Sequence, residues 1–190
     1  MTAPPDELRA ERFVLRRWRD DDADAFAAMN ADAEVMADLG GPISRAASDA
    51  KLARFDGAFE TGGIGRWLIE GSLGGGPETF LGYAGVMPVG DDHPLGSHHE
   101  IGWRLCRSAW GHGVASEAAR AALDDAFDRV GLDEVLAYTA GDNVRSQAVM
   151  ERLGLQRNAI RDFTKRYDDV GAWRGLVWVA TPLGGSTPLA

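Results

Sequence analysis

The chain has 190 residues, 45% of them hydrophobic and 26% charged, which fits one globular domain rather than a disordered or fibrous protein. Its formal net charge of −9 argues against nucleic acid as the main partner, because phosphate contacts need clustered lysine and arginine. No apolar run is long enough to cross a bilayer, and the residues from Met1 to Arg12 do not form a secretory or mitochondrial signal. We therefore expect a cytoplasmic protein with no membrane partner. No repeat or composition break divides residues 1–190, so a single domain is predicted.

The first part of the chain is predicted to hold one strand and three helical segments. Alternating side chains over residues 11–18 predict a strand, and the acidic run that follows is typical of a helix start. A short helical piece is expected over residues 33–39. Ser44 is placed to cap a third helix, which is predicted to end near Phe59.

The second part is predicted to hold strands and two helices. The strands are expected over residues 67–70, 80–87, 99–105, 135–139 and 173–180. A long helix is predicted over residues 114–130, with Gly131 at its end, and another over residues 144–153, with Asn143 as its cap and Gly154 at its end. Residues 158–171 are expected to form a loop and residues 181–190 a loose tail. This order predicts a mixed α/β domain.

The turn between the strand at residues 99–105 and the long helix carries most of the chemical information. It reads Arg107-Ser108-Ala109-Trp110-Gly111-His112-Gly113. Glycines let backbone N–H groups approach a ligand, and the first turn of a helix has unpaired N–H donors and a positive dipole end. Such a turn suits a phosphate or pyrophosphate, although a tight turn with packing glycines explains the same residues. The turn has neither the Walker spacing nor the three glycines of the dinucleotide fingerprint.

A longer stretch around this turn resembles a known family. The run from Glu100-Ile101-Gly102-Trp103 through Trp110-Gly111-His112-Gly113-Val114-Ala115-Ser116-Glu117-Ala118 resembles the acetyl-CoA-binding motif of the GNAT superfamily of N-acetyltransferases. Asn143-Val144-Arg145-Ser146 and Met150-Glu151-Arg152-Leu153-Gly154-Leu155 resemble the next motif, as found in the branch that acetylates the N-termini of ribosomal proteins.

The resemblance implies a fold and an activity. The GNAT fold is a single central, mostly antiparallel twisted sheet with a splayed parallel strand pair and helices on both faces. The activity is direct transfer of an acetyl group from acetyl-CoA to a primary amine, either a protein N-terminus or a small molecule, without a metal. Proteins of this fold also commonly form homodimers. Four histidines without paired spacing agree with the expected absence of a metal site.

The resemblance further implies how acetyl-CoA is held. Backbone N–H groups of about residues 111–116 would bind the pyrophosphate. The strand end near Leu105 would pair with the pantetheine arm and donate an N–H to the thioester oxygen. The first position of the family pattern is Gln or Arg, and this chain has Trp110 there, as members of this branch often have an aromatic residue. The cofactor-binding residues predicted in this way are Leu105, Cys106, Arg107, Gly111, His112, Gly113, Val114, Ala115, Ser116 and Asn143.

Acetyl transfer needs a partner for the leaving thiolate. Many GNAT enzymes use a tyrosine at the position of Met150, and methionine cannot donate a proton. Ser146 lies one helical turn earlier on the same helix face, and the resembled branch is thought to use a serine here. We therefore predict Ser146 as the catalytic partner of the thiolate. The alternative is that Ser146 only decorates the first turn of its helix.

The general base is less clearly indicated. Glu100 is the predicted base, because a carboxylate in a partly desolvated cleft has a pKa suited to this role. A salt-bridge partner explains Glu100 equally well, and His98 and His99 beside it also titrate near neutral pH. Tyr138 is predicted to orient the substrate or a water molecule.

Two alternatives to acetyl transfer stay open. The first is an enzyme that uses another acyl donor, such as succinyl-CoA. The second is a CoA-binding module that senses its ligand without catalysis. The single cysteine, Cys106, forms no internal disulfide and is predicted to be a buried strand residue rather than a nucleophile.

Overall fold

A computed structural model describes residues 3–167 and 171–182 of the chain. Its α-helices are α1 (Ala23–Ala31), α2 (Arg45–Gly62), α3 (Val114–Asp128) and α4 (Val144–Arg152). Its strands are β1 (Glu7–Arg9), β2 (Val14–Arg16), β3 (Arg66–Gly71), β4 (Thr79–Val89), β5 (His98–Leu105), β6 (Val135–Thr139), β7 (Gln156–Arg157), β8 (Phe163–Tyr167) and β9 (Gly171–Ala180). Short 3-10 turns occur at Asp20–Asp22, Ala37–Leu39, Arg107–Ala109 and Ala159–Arg161. The predicted loose tail lies outside the described residues from residue 183 onward.

All the strands belong to one sheet with the order β1-β2-β3-β4-β5-β6-β9-β7, and β8 pairs with β9. Every pairing is antiparallel except that of β5 with β6. That parallel pair has one registered contact, between Glu100 and Leu136. Beyond it, the described parts of the two strands are not registered, so their C-terminal halves separate. The predicted mixed α/β fold with a splayed parallel pair is confirmed.

Helices cover both faces of this sheet. On one face, α3 and α4 pack on the main core. The side of α3 that faces this core carries small buried residues, which include Val114, Ala118, Ala119, Ala122 and Ala126. Such small side chains let the helix approach the strands closely. On the other face, α1 and α2 pack through Phe26 and Phe55 against Leu68 and Tyr83 of the sheet.

The predicted helix caps are confirmed. The Ser44 side chain accepts a hydrogen bond from the Ala47 backbone N–H at the start of α2. The Asn143 side chain accepts one from the Ser146 backbone N–H, 3.0 Å away, at the start of α4. Gly131 and Gly154 follow their helices with φ values of 78° and 79°, a left-handed conformation that favours glycine. No helix within the described ranges is long and apolar enough to span a membrane.

Three predictions of secondary structure need correction. In place of the strand expected over residues 11–18, the structure has the shorter strand β2, which pairs with the preceding strand β1. The helical piece expected over residues 33–39 is a series of turns with a 3-10 turn at its end. The loop expected over residues 158–171 contains β8, whose partner is β9. The sequence of β8, Phe-Thr-Lys-Arg-Tyr, is mostly polar, so its pairing comes from a distant strand and leaves little local signal.

A buried ion pair joins β2 to the start of α1. The Arg16 guanidinium donates to both oxygens of Asp22 at 2.8 Å, and its Nε donates to Glu70 at 3.0 Å. Burial raises the pKa of the Asp22 carboxyl, but the Arg16 guanidinium and the Arg19 backbone N–H lower it more, so this pKa lies below its ordinary value. Charged Asp22 therefore stabilises the fold, and the contribution is lost as the pH falls through the pKa of the folded protein.

We expect Asp22→Asn to lower the free energy of unfolding by about 3 kcal/mol at neutral pH, because it leaves the buried Arg16 with a weaker partner. The difference from the wild type should shrink as the pH falls below the ordinary aspartate pKa and through the lowered pKa of Asp22 in the folded protein, because the wild-type carboxylate then also takes up a proton. Urea unfolding over this pH range measures both effects. Asp21→Asn, on the exposed neighbouring residue, is the control and should change little. A constant difference at all pH values would contradict this account.

Candidate functional site

A cleft of about 810 Å³ lies beside the C-terminal end of β5. The end of β5, the glycine turn after it, the first turn of α3 and the first two turns of α4 form its walls. The segment between α1 and α2, residues 32–41, forms a further wall, and we call it the strap. The residues that line the cleft are Glu34, Val35, Asp38, Trp103, Arg104, Leu105, Ala109, Trp110, Gly111, Gly113, Val114, Ala115, Ser116, Asn143, Val144, Arg145, Ser146, Ala148, Val149 and Arg152.

The glycine turn has the conformation that its sequence predicts. Gly111 and Gly113 both have a φ of 79°, and Gly113 is the residue that precedes α3. Because α3 follows at once, its first backbone N–H groups and the positive end of its dipole face the cleft. This part of the cleft is therefore suited to an anion such as a phosphate.

Arg12 holds the glycine turn in place from the N-terminal side. Its guanidinium donates to the His112 carbonyl at 3.0 Å and to the Glu117 carboxylate at 2.8 Å. Its backbone N–H also donates to Glu117. The φ of 79° at Gly113 strains any other residue, whereas a Cβ there would lie 3.1 Å from the Arg12 guanidinium, the flexible end of a side chain that can shift. The turn is thus fixed before any ligand binds.

Polar contacts tie the strap to the rest of the cleft. Glu34 forms an ion pair of 2.7 Å with Arg107, and the Asn143 amide donates to Asp38 at 2.9 Å. Arg104 of β5 donates to the Val35 carbonyl at 2.7 Å. Sequence reasoning did not find these contacts, because each of them joins residues far apart in the chain.

The structure brings most of the predicted cofactor-binding residues together. Those that line the cleft are Leu105, Gly111, Gly113, Val114, Ala115, Ser116 and Asn143. Cys106, Arg107 and His112 do not line it. The Cys106 backbone N–H donates to the Leu81 carbonyl at 2.9 Å, and Arg107 is paired with the strap. The exposed His112 contacts Arg12 through its carbonyl. The predicted binding roles of all ten residues remain predictions.

The Cys106 thiol is poorly suited to nucleophilic chemistry. It is half-buried, and burial raises its pKa to about 11. A thiol must ionise to attack, so almost none of it is reactive near neutral pH.

Ser146 faces the cleft from the first turn of α4. Met150, one turn later, is 2% exposed and belongs to the main core. The two residues therefore have different surroundings, and the position of the superfamily tyrosine is occupied here by a core side chain. Of the two, Ser146 alone lines the cleft.

Glu100 lies at the point where β5 and β6 part, but it does not line the cleft. Its carboxylate accepts a hydrogen bond of 2.9 Å from the buried guanidinium of Arg66. The same guanidinium donates to the carbonyls of Gly85, Glu100 and Gly102. A Cβ at Gly102 would lie 2.7 Å from Arg66, so glycine makes room for this network. The salt-bridge alternative for Glu100 is thus present in the structure, and its role as a base remains a prediction.

Tyr138 belongs to a cluster of rings beside β6 rather than to the cleft lining. It stacks on His93 with 5.2 Å between ring centroids and packs edge-on against Phe163 and Trp173. His98 also joins this cluster. Burial lowers the pKa of His99.

Across residues 3–167 and 171–182, no group of three or more His, Cys, Asp or Glu side chains is arranged to hold a metal ion.

The fold and the cleft define a class of protein, an α/β domain with a glycine turn and a helix start suited to an anion beside a splayed parallel strand pair. A family model described as "Acetyltransferase (GNAT) domain" matches residues 12–156, and the chain belongs to this family. The Bacillus subtilis protein YkkB is 30% identical over 162 residues, which cover 84% of this chain and 91% of YkkB. Membership of this family supports acyl-CoA-dependent transfer of an acetyl group to an amine.

Solved structures share the fold over nearly the whole chain. An acetyltransferase from Agrobacterium tumefaciens C58 is 26% identical, with a TM-score of 0.75 and coverage of 96% of this chain and 97% of that one. A spermidine N-acetyltransferase from Vibrio cholerae, solved with CoA and spermine, is 14% identical, with a TM-score of 0.69 and coverage of 90% and 95%. The second likeness shows the fold alone.

Proposed function

We propose that this protein transfers an acetyl group from acetyl-CoA to a primary amine, with Ser146 assisting departure of the thiolate. The observation that carries the proposal is the cleft itself. It joins an anion-binding helix start, an unregistered strand edge and a serine hydroxyl within one space. These are the parts needed to hold a phosphorylated, extended acyl donor and to protonate its leaving group.

The two halves of the donor fit two parts of the cleft. Backbone N–H groups of residues 111–116, at the start of α3, would bind the pyrophosphate. The edge of β5 beyond Glu100 is not registered with β6 in the described structure, so its backbone groups can pair with an extended amide chain. The pantetheine arm has two amides and can take the place of the missing strand partner. Cys106 cannot supply an N–H here, because its N–H is bound to Leu81.

The transfer step makes defined demands on the protein. A carbon–nitrogen bond forms between the amine and the acyl carbonyl, and the carbon–sulfur bond breaks. The Ser146 hydroxyl would donate a hydrogen bond or a proton to the departing sulfur and recover the proton from solvent. Backbone N–H groups near Leu105 would stabilise the charge that develops on the carbonyl oxygen.

The ammonium form of the acceptor must lose a proton before it can attack. Glu100 is the proposed acceptor of that proton, through a water molecule, because its carboxylate does not reach the cleft surface itself. Its ion pair with Arg66 uses Oε2, and 22% of its side chain is exposed, so water has access to the group. Tyr138, on the neighbouring strand, does not line the cleft, so its proposed role in orienting the acceptor requires an acceptor that extends from the cleft to the ring cluster.

The acceptor is proposed to be cationic. Asp38 of the strap carries a negative charge at the cleft and contacts the neutral Asn143 amide, and the whole chain has a formal net charge of −9. The spermidine N-acetyltransferase with the same fold was solved with the polyamine spermine. Protein N-termini and small amines are both positively charged acyl acceptors, and turnover with a panel of peptides and small amines distinguishes them.

We expect the purified protein to release free CoA from acetyl-CoA when a suitable amine is present. Ser146→Ala should lower kcat by about 100-fold while the KM for acetyl-CoA stays nearly constant, because the serine acts on the leaving group rather than on binding. The assay is thiol release with a panel of N-terminal peptides and small amines. Ser108→Ala, at an exposed serine outside the cleft, is the matched control and should behave as wild type.

An unchanged kcat for Ser146→Ala would remove the serine from the mechanism. Faster turnover with succinyl-CoA than with acetyl-CoA would favour the alternative donor. Tight CoA binding without turnover for any amine or acyl-CoA would favour a sensor over an enzyme.

A second variant tests the proposed base. Glu100→Gln keeps an acceptor for the Arg66 hydrogen bond but cannot take up a proton, so we expect kcat to fall by about 100-fold at neutral pH. Glu78→Gln, at an exposed glutamate, is the control. A wild-type kcat in Glu100→Gln would assign Glu100 to support of Arg66 alone.

A further inference from the structure

The side chain of Arg145, the second residue of α4, reaches from this helix to Trp110 on another wall of the cleft. Its guanidinium carbon sits 4.1 Å from the centroid of the Trp110 ring, and both residues line the cleft. Trp110 immediately precedes Gly111 of the glycine turn. The contact therefore joins the α4 wall to the wall that holds the anion-binding helix start.

Other contacts fix the Trp110 ring in this position. Its indole N–H donates to the Leu105 carbonyl at 3.2 Å, at the end of β5. The ring also packs against both the main core and the core under α1 and α2. Trp110 thus offers Arg145 a rigid aromatic face beside the turn.

The arginines that line the cleft differ in the partners that their guanidinium groups contact. Arg104 donates to the Val35 carbonyl, and Arg152 donates to the Ser116 hydroxyl at 3.3 Å. Within the described ranges, Arg145 has no carboxylate partner and no hydrogen bond, and the Trp110 ring is its contact. A guanidinium stacked on a ring keeps its N–H donors, which point outward in the guanidinium plane. Arg145 therefore carries a charge and a donor edge that are available to a ligand.

We propose that Arg145, positioned by Trp110, binds the pyrophosphate of the acyl-CoA donor from the side opposite the N–H groups of the glycine turn. This inference rests on the proposed function and adds a binding residue that the family pattern did not indicate. An arginine can donate two parallel hydrogen bonds to phosphate oxygens, which complements the backbone donors of α3. It also gives Trp110 a role at the position where the family pattern has Gln or Arg. The ring does not bind the phosphate but holds the cation that does.

The test is calorimetric titration of CoA and of 3′-dephospho-CoA into the wild type and Arg145→Met. Methionine keeps an unbranched side chain at this exposed position but has neither charge nor donors. We expect both ligands to bind about tenfold more weakly to Arg145→Met, because both contain the pyrophosphate. Arg54→Met is the matched control. Arg54 is also exposed and lies 5.7 Å from a ring centroid, that of Phe55, but away from the cleft. It should leave both affinities unchanged.

Other results would overturn the inference. Unchanged affinities in Arg145→Met would show that the guanidinium does not bind the donor. A loss confined to CoA would place the contact on the 3′-phosphate instead of the pyrophosphate. Failure of the wild type to bind either ligand would contradict the proposed function itself, and this outcome is visible before any variant is measured.

Discussion

Glu100 of β5 pairs with Leu136 of β6, and beyond this pair the two parallel strands separate. This separation leaves the edge of β5 beyond Glu100 without a registered partner, and the end of that strand, Trp103 to Leu105, lines the cleft. The Arg66 guanidinium lies at the branching point, where it binds carbonyl groups of β4 and β5 and the Glu100 carboxylate. Gly102 has no side chain to collide with it. A buried cation thus ties β3, β4 and β5 together at the place where β5 loses its neighbour.

The remaining walls of the cleft are arranged around that opening. The glycine turn leads from the end of β5 directly into α3, and Arg12 fixes the turn from outside. On the other side, Asn143 caps α4 through the Ser146 N–H and also contacts Asp38 of the strap. Asn143 therefore holds the start of α4, where Ser146 lies, and also contacts the strap. These contacts place the anion site, the strand edge and the serine in fixed relation before a donor arrives, which reduces the ordering cost of binding.

The sequence predicted the parts of this arrangement that depend on local chemistry. The caps at Ser44 and Asn143 follow from hydrogen bonds between neighbouring residues, and the turn at Gly111 and Gly113 follows from their backbone freedom. The helical spacing of apolar residues predicted α3 within two residues of its observed end at Asp128. The two motifs in their order identified the family, which the matching family model over residues 12–156 confirms.

The parts that escaped prediction depend on contacts between distant residues. Polar β8 is a strand because β9 pairs with it, and its own composition indicates a loop. The strap lines the cleft because Val35 contacts Arg104 and Asp38 contacts Asn143. No periodicity in a short acidic segment signals such contacts. The sequence left a salt bridge of Glu100 open but did not indicate its partner, because Arg66 lies 34 residues earlier in the chain.

Backbone hydrogen exchange with and without CoA tests the central claim most directly, because the proposed cradle is made of N–H groups rather than side chains. We expect CoA to slow exchange at residues 111–116, along the β5 edge up to Leu105 and at the first turn of α4. Exchange in the peripheral strands β1 and β8 should stay unchanged. Protection that omits residues 111–116, or that appears only away from the cleft, would contradict the account.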